Sequence, residues 1–250
     1  MRRTIGADII RIQRKKSLII TTVITILFIL IAGIVAGLGL LKGDKSDHFK
    51  VFMTVATGFA PFLTGIPIFT SVYSDDFKSH SMQVSIGRGF SRSKLVYARF
   101  FETVIMLIEA FIIFSAFIIG LALIFGIKGS AMGDTLETLW KMYPNIICYY
   151  AVAMIFVFLT QAGTLGLVVY ILLAASITDL ILNALTLIPF ISKMKFDITN
   201  ATIDGMIRCM FSDEREMWKR ALYGVAALVV YVIVPIILSK KIFKHKELEF

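Results

Sequence analysis

Met142–Ser192 reads MYPNIICYYAVAMIFVFLTQAGTLGLVVYILLAASITDLILNALTLIPFIS, and Asp179 is the one charge in its 51 residues. An α-helix rises about 1.5 Å per residue, and the hydrocarbon core of a bilayer is about 30 Å thick. A single helix over the whole stretch would be more than twice that depth. The segment therefore predicts a hairpin of two spans, 143–162 and 164–190, turning at Gln161-Ala162-Gly163.

The rest of the chain follows the same pattern. Leu18–Leu41 runs 24 residues without a charge, and Val51–Tyr73 runs 23. The second run carries Pro61 and Pro67, which predict a kinked span buried against neighbours. A third span is expected over 103–127, interrupted by Glu109, and a last one over 221–238. Composition agrees. Of 250 residues 58% are hydrophobic and 17% charged, with a formal net charge of +9. A soluble domain is about 25% charged. Disorder needs low hydrophobicity, and a disulfide scaffold needs more than 2 Cys. A nucleic-acid binder would not set its basic residues between long uncharged runs. The expectation is an all-α, polytopic membrane protein forming one transmembrane domain of six spans.

Lys and Arg near span ends favour the cytoplasmic side. With both termini inside, 15 of the 26 basic residues are cytoplasmic and 11 are outside. The arm before the first span has 6 and the loop 74–99 has 5. An N-in, C-in topology follows. The first span is too long for the apolar core of a signal peptide and reads as a retained helix.

Three segments outside the spans are patterned. In the arm 1–17, Ile5, Ile9 and Ile12 share one helical face among Arg2, Arg3, Arg11, Arg14, Lys15 and Lys16, as in a helix lying in the membrane interface. The loop 74–99, SDDFKSHSMQVSIGRGFSRSKLVYAR, opens on Asp75 and Asp76. It passes through a short semi-apolar stretch, breaks at Gly87 and Gly89, and offers Ser91 as the cap of a helix running into span three. In the outer segment 191–220, Ile203, Met206, Ile207, Met210 and Phe211 form an amphipathic stripe. Asn200 or Thr199 is the expected cap of that helix. Ser212 is the expected cap of the next, with Asp213, Glu214 and Glu216 in its first turn.

These pieces resemble the permease subunits of bacterial type-two-class ABC exporters, especially the small six-span permeases of peptide, bacteriocin-immunity and antibiotic-resistance exporters. The resemblance lies in an acid after span two, here Asp75 or Asp76, and in Gly89, Ser91, Arg92 and Lys94 within SIGRGFSRSKLVYARF. The glycine-threonine pair that often follows the acid in that class is replaced by Lys78-Ser79-His80-Ser81. The resemblance implies a cytoplasmic coupling helix in the loop 74–99, an N-terminal interface helix and re-entrant outer helices. It also implies a place in the bacterial cytoplasmic membrane and a transporter of two permeases, of one kind or two, and two ATPases. Asp75, Asp76, Gly89, Ser91, Arg92 and Lys94 are then the residues that couple to the ATPase. The chain contains no G-x-x-x-x-G-K-[ST] loop, so ATP and Mg would sit on that separate subunit and no cofactor on this one.

Ionisable groups inside a span are costly and invite a functional reading. Glu109 lies in span three on one face with Glu102 and Met106. In span five, Ser176, Asp179, Asn183 and Thr186 form a polar stripe, either packing between helices or one wall of a substrate path. Glu109 and Asp179 differ in depth by roughly 13 Å at 1.5 Å per residue, so each needs its own partner. Gly33-x-x-x-Gly37 in span one permits close approach of another helix. Metal and catalytic residues are not expected. Asp75-Asp76 is a single acidic pair, and no G-x-S-x-G elbow occurs. The competing reading is a membrane protein that works without ATP, either a peptide immunity protein or a secondary transporter.

Overall fold

The computed structural model describes residues 2–38, 44–78, 81–87, 89–186 and 198–246, and among them there is helix but no strand. The ordered elements are α1 (Arg2–Gln13), α2 (Lys16–Gly37), α3 (Lys45–Phe77), α4 (Ser81–Gly87) and α5 (Arg92–Ile124). They continue with α6 (Gly129–Thr160), α7 (Gly163–Ala174), α8 (Ile177–Thr186), α9 (Ile203–Met210) and α10 (Met217–His245). Five of these, α2, α3, α5, α6 and α10, are long and apolar enough to cross a membrane. The bent pair α7–α8 makes a sixth if it counts as one span. Residues 39–41 of the first expected span, 187–190 of the fifth and 191–197 of the segment after it lie outside the described residues.

The chain divides into two compact units. The first comprises Met1–Val72 and Phe101–Tyr143. Its buried apolar residues include Ile29, Phe49, Met53, Phe69, Leu107, Phe114 and Ile118. Proline lacks an N–H and clashes with the preceding turn, so Pro61 and Pro67 would break an ordinary α-helix. Here α3 absorbs them by widening into π-turns at Pro61–Gly65 and Thr70–Ser74. Threonine hydroxyls reinforce the altered turns. Thr64 donates to the Ala60 carbonyl at 2.7 Å and Thr70 to that of Ile66 at 3.0 Å. The small-residue face of α2 seats on the end of α5. A Cβ on Gly33 would lie 2.7 Å from Leu121 Cδ1, and one on Gly37 would enter the Phe125 ring. In lipid such packing replaces the hydrophobic effect as the force between helices.

The segment 128–141, between the third and fourth expected spans, is helical from Gly129 onward. Its charges are spaced to support a helix. Lys141 pairs with Glu137 one turn back at 2.5 Å, and the Thr135 and Thr138 hydroxyls donate to carbonyls four residues back. The start of this helix is stapled to the start of α3. Asp44 caps α3 by accepting from the Ser46 N–H at 3.0 Å and pairs with Lys128, while Lys50 meets Asp134 at 2.6 Å. The Lys128 ammonium holds the Asp44 carboxyl below its ordinary range.

The second unit comprises Tyr73–Phe100 and Pro144–Phe250. Its buried aromatic core includes Tyr73, Tyr150, Phe158, Tyr170 and Phe243. Tyr73 Oη donates to Met154 Sδ at 3.4 Å, and the Tyr150 and Tyr170 rings lie 4.9 Å apart. Between α6 and α7 the chain turns at Gln161, which takes φ +54°. The following Gly163 has no room for a side chain, because a Cβ there would run into the Ser74 backbone.

The span expected over 164–190 is instead broken. α7 and the part of α8 up to Ala184 meet at an angle of 57°. The break is at Ala175-Ser176, where Ser176 takes φ +52°, a left-handed conformation that an L-residue adopts only at a cost. The cap of α9 is Thr202 rather than Thr199 or Asn200. Its hydroxyl oxygen accepts from the Gly205 N–H at 2.9 Å while donating to the Thr199 carbonyl at 2.8 Å. α10 begins at Met217, not after Ser212. Arg220 reaches back to Asp213 at 3.2 Å and to the Met210 carbonyl at 3.2 Å, which folds 212–216 into a turn.

Candidate functional site

The loop 74–99 is built from local signals. α4 ends in a paired cap, with Phe90 N–H donating to the Ser85 carbonyl at 3.1 Å and Gly89 N–H to that of Ile86 at 2.9 Å. This arrangement requires a left-handed residue at its fifth position, and Gly89 supplies it at φ +89°. Ser91 then caps α5 by accepting from the Lys94 N–H at 3.4 Å. Gly89, Ser91 and Lys94 are exposed. In α4, Met82 is buried and Val84 is exposed.

Two arginines on α5, two turns apart, fasten this loop. Arg99 pairs with Asp76 at 2.7 Å, and both side chains are fully buried. Arg92 donates to three carbonyls at the end of α10, those of Phe243 at 3.3 Å, Lys244 at 3.4 Å and Lys246 at 2.5 Å. Helix C-termini carry unsatisfied carbonyls and partial negative charge, so a guanidinium there is well matched. Beside it Phe243 packs on Phe158 with ring centroids 4.8 Å apart, and Phe158 on Phe77 at 6.0 Å. The Lys246 ammonium closes the ring of contacts by donating to the Leu159 carbonyl. The foot of α3, the start of α5, the α6–α7 turn and the end of α10 thus form one joint. Asp75 is half-buried beside it.

A second polar cluster lies at the α7–α8 break. Asp204 of α9 accepts hydrogen bonds from Tyr149 Oη and, at 2.9 Å, from Ser176 Oγ. Burial raises the Asp204 carboxyl above its ordinary value. The two hydrogen bonds oppose that shift, the negative charge of Asp179 adds to it and Arg208 works against it. Asp179 has Arg208 of α9 at 3.9 Å. Cys209 donates to the Asn200 side chain at 3.3 Å, and Tyr231 Oη to the Ala201 carbonyl. Of the expected stripe, Ser176 and Asp179 join this cluster, Asn183 is exposed, and the Thr186 side chain is outside the described residues.

Glu109, in the first unit, is half-buried and accepts from the Gln13 amide at the end of α1 at 2.8 Å. Gln13 and Asp204 were not singled out in the sequence, nor was Arg99 as the partner of Asp76. Two signals were available. Arg99 repeats Arg92 at seven residues, and Asp204 stands four residues before Arg208 on one face of α9.

No protein-family model matches the chain, and no curated protein is significantly similar to it.

Proposed function

We propose that the chain is the membrane-spanning permease subunit of a bacterial ABC exporter, with six spans and both termini in the cytoplasm. The observation that carries this reading is the joint around Arg92, Arg99 and Asp76. A short helix on a loop transmits force only if its ends are fixed. α4 is closed at one end by the Gly89 cap and leads directly into the capped start of α5. The arginines of α5 tie it to α3 and to the end of α10. Movement imposed on α4 by an ATPase subunit would pass to three helices together.

In this reading α1 lies in the cytoplasmic interface, and α9 is the outer re-entrant helix. Gly89, Ser91 and Lys94 face the ATPase. Buried Asp76 and half-buried Arg92 act by holding geometry. Apolar spans with few polar positions suit a hydrophobic or amphipathic cargo, such as a peptide, toxin or antibiotic. A second copy or a second permease completes the transporter, and the excess of cytoplasmic Lys and Arg also faces anionic lipid.

The test is copurification with an ATPase subunit and vanadate-sensitive ATP hydrolysis in lipid. Reversing Arg92 to Glu should lower coupled turnover, and unchanged turnover with unchanged copurification would overturn the lever. The alternative is a secondary transporter. The 57° break between α7 and α8 favours it, because such transporters build substrate sites at broken helices. Transport that persists in vesicles without ATP selects it.

A further inference from the structure

The first unit contains a cavity of about 380 Å³ between α2, the π-turn region of α3 and α5. That volume lies within the range of small-molecule sites, about 300–1,000 Å³. Its walls include Leu18, Leu63, Met106, Ile113 and Phe114. Among its described lining residues one is ionisable, Glu109. Three of the remaining polar groups have a definite bias. The hydroxyls of Thr21, Thr25 and Thr64 donate to helix carbonyls, Thr21 to Ser17 at 2.9 Å, Thr25 to Thr21 at 2.8 Å and Thr64 to Ala60 at 2.7 Å. A hydroxyl has one proton and two lone pairs, so each of these presents only acceptor capacity to the cavity. The Gln13 amide spends one of its two N–H donors on Glu109 and keeps a carbonyl oxygen as acceptor. Lining the cavity at Leu63 and Thr64 is a π-turn, a distortion that recurs at functional positions.

An apolar chamber with a carboxylate and lone pairs selects a ligand that is apolar in body, positively charged and rich in N–H donors. We infer that this cavity binds an amphiphilic amine, with its ammonium on Glu109 and its apolar part against Phe114 and Ile113. The site belongs to the chain alone and needs no ATPase, so its failure and the failure of the transporter reading are separate results.

The experiment uses the full-length chain in phosphatidylcholine nanodiscs, titrated with dansylcadaverine and followed by fluorescence polarisation. The expected result is saturable binding that dansylamide, which lacks the amine, does not reproduce. Glu109→Gln should weaken it by about tenfold or more, the loss of a charge-assisted hydrogen bond. Ala110→Phe keeps the carboxylate but fills the chamber, and should also abolish binding. Equal binding by the wild type and Glu109→Gln, or dansylamide binding as tightly as dansylcadaverine, would overturn the proposal. If Glu109→Gln does not fold, the dansylamide control and Ala110→Phe decide it. Phosphatidylethanolamine that displaces the probe would identify a lipid headgroup as the natural source of the ammonium. Retention of the probe would identify a free amphiphile, and either result keeps the site.

Discussion

Asp76 and Arg99 meet at 2.7 Å with 0% and 2% of their side chains exposed, whereas Asp179 and Arg208 stand 3.9 Å apart with 14% and 68% exposed. The two pairs share their chemistry and lie in the same unit. They differ in what happens when one member is removed. A fully buried charge that loses its counter-ion has no water to turn to, whereas an exposed arginine is solvated at once. Burial therefore makes the first pair a fixed joint and leaves the second adjustable. That contrast matches their settings: the first anchors a loop between two long helices, and the second bridges a broken helix to a short one.

The largest effect should follow from breaking the fixed pair. Asp76→Ala or Arg99→Ala is expected to cost about 3–5 kcal/mol, read as loss of monodisperse protein and a lower Tm in nanodiscs. The double variant Asp76→Leu with Arg99→Met should recover most of that loss. If the single variants are as stable as the wild type, the contrast between the pairs fails.

Gly163→Ala comes next. It forces a Cβ into the Ser74 backbone, at an expected cost of about 1–3 kcal/mol. Thermal unfolding measures it, and Gly58→Ala, where a Cβ would meet nothing within 4 Å, is the matched control.

Arg92→Gln should act locally. It replaces the charged guanidinium at the end of α10 by a shorter neutral amide, so amide exchange at 243–246 is expected to rise while the global Tm changes little. A smaller effect is a pH dependence at the adjustable cluster. Asp204 has a carboxyl raised by burial. Such a group favours the folded state while protonated, so its contribution is full below its unfolded value of about 3.9. It declines as pH climbs toward the folded value. Asp204→Asn should flatten that slope in a series of Tm measurements. Asp179→Asn should be the mildest, about 0–1 kcal/mol. Lost export at unchanged Tm would then assign Asp179 to a substrate path, and normal export would leave it to packing.

What the sequence made legible was local. Ser91 and Gly89 announce their roles within a few residues, because a cap and a left-handed turn depend on immediate neighbours. The all-helical, apolar character of the chain was equally plain from the uncharged runs. The Asp76–Arg99 pair was not, since it closes across a loop that contains its own helix. The partner of Glu109 is Gln13, 96 residues away, and no periodicity reports a contact of that range. The break at Ser176 was hidden for a different reason. Ala175-Ser176 carries no glycine or proline, and continuous apolar character reads as continuous helix. The charged start of α6 failed in the opposite sense, because a helix that outruns its apolar span looks like a loop when spans are counted by charge.

The seat of α2 on α5 has a consequence for assembly. Gly33 and Gly37 form the face that two copies of an apolar helix commonly use to dimerise. In this chain Leu121 and Phe125 already fill it. A symmetric dimer through that face would first have to evict the chain's own third long helix. Any second copy must therefore dock on another flank, and cysteine cross-linking that scans α2 should give its strongest products away from the glycine stripe.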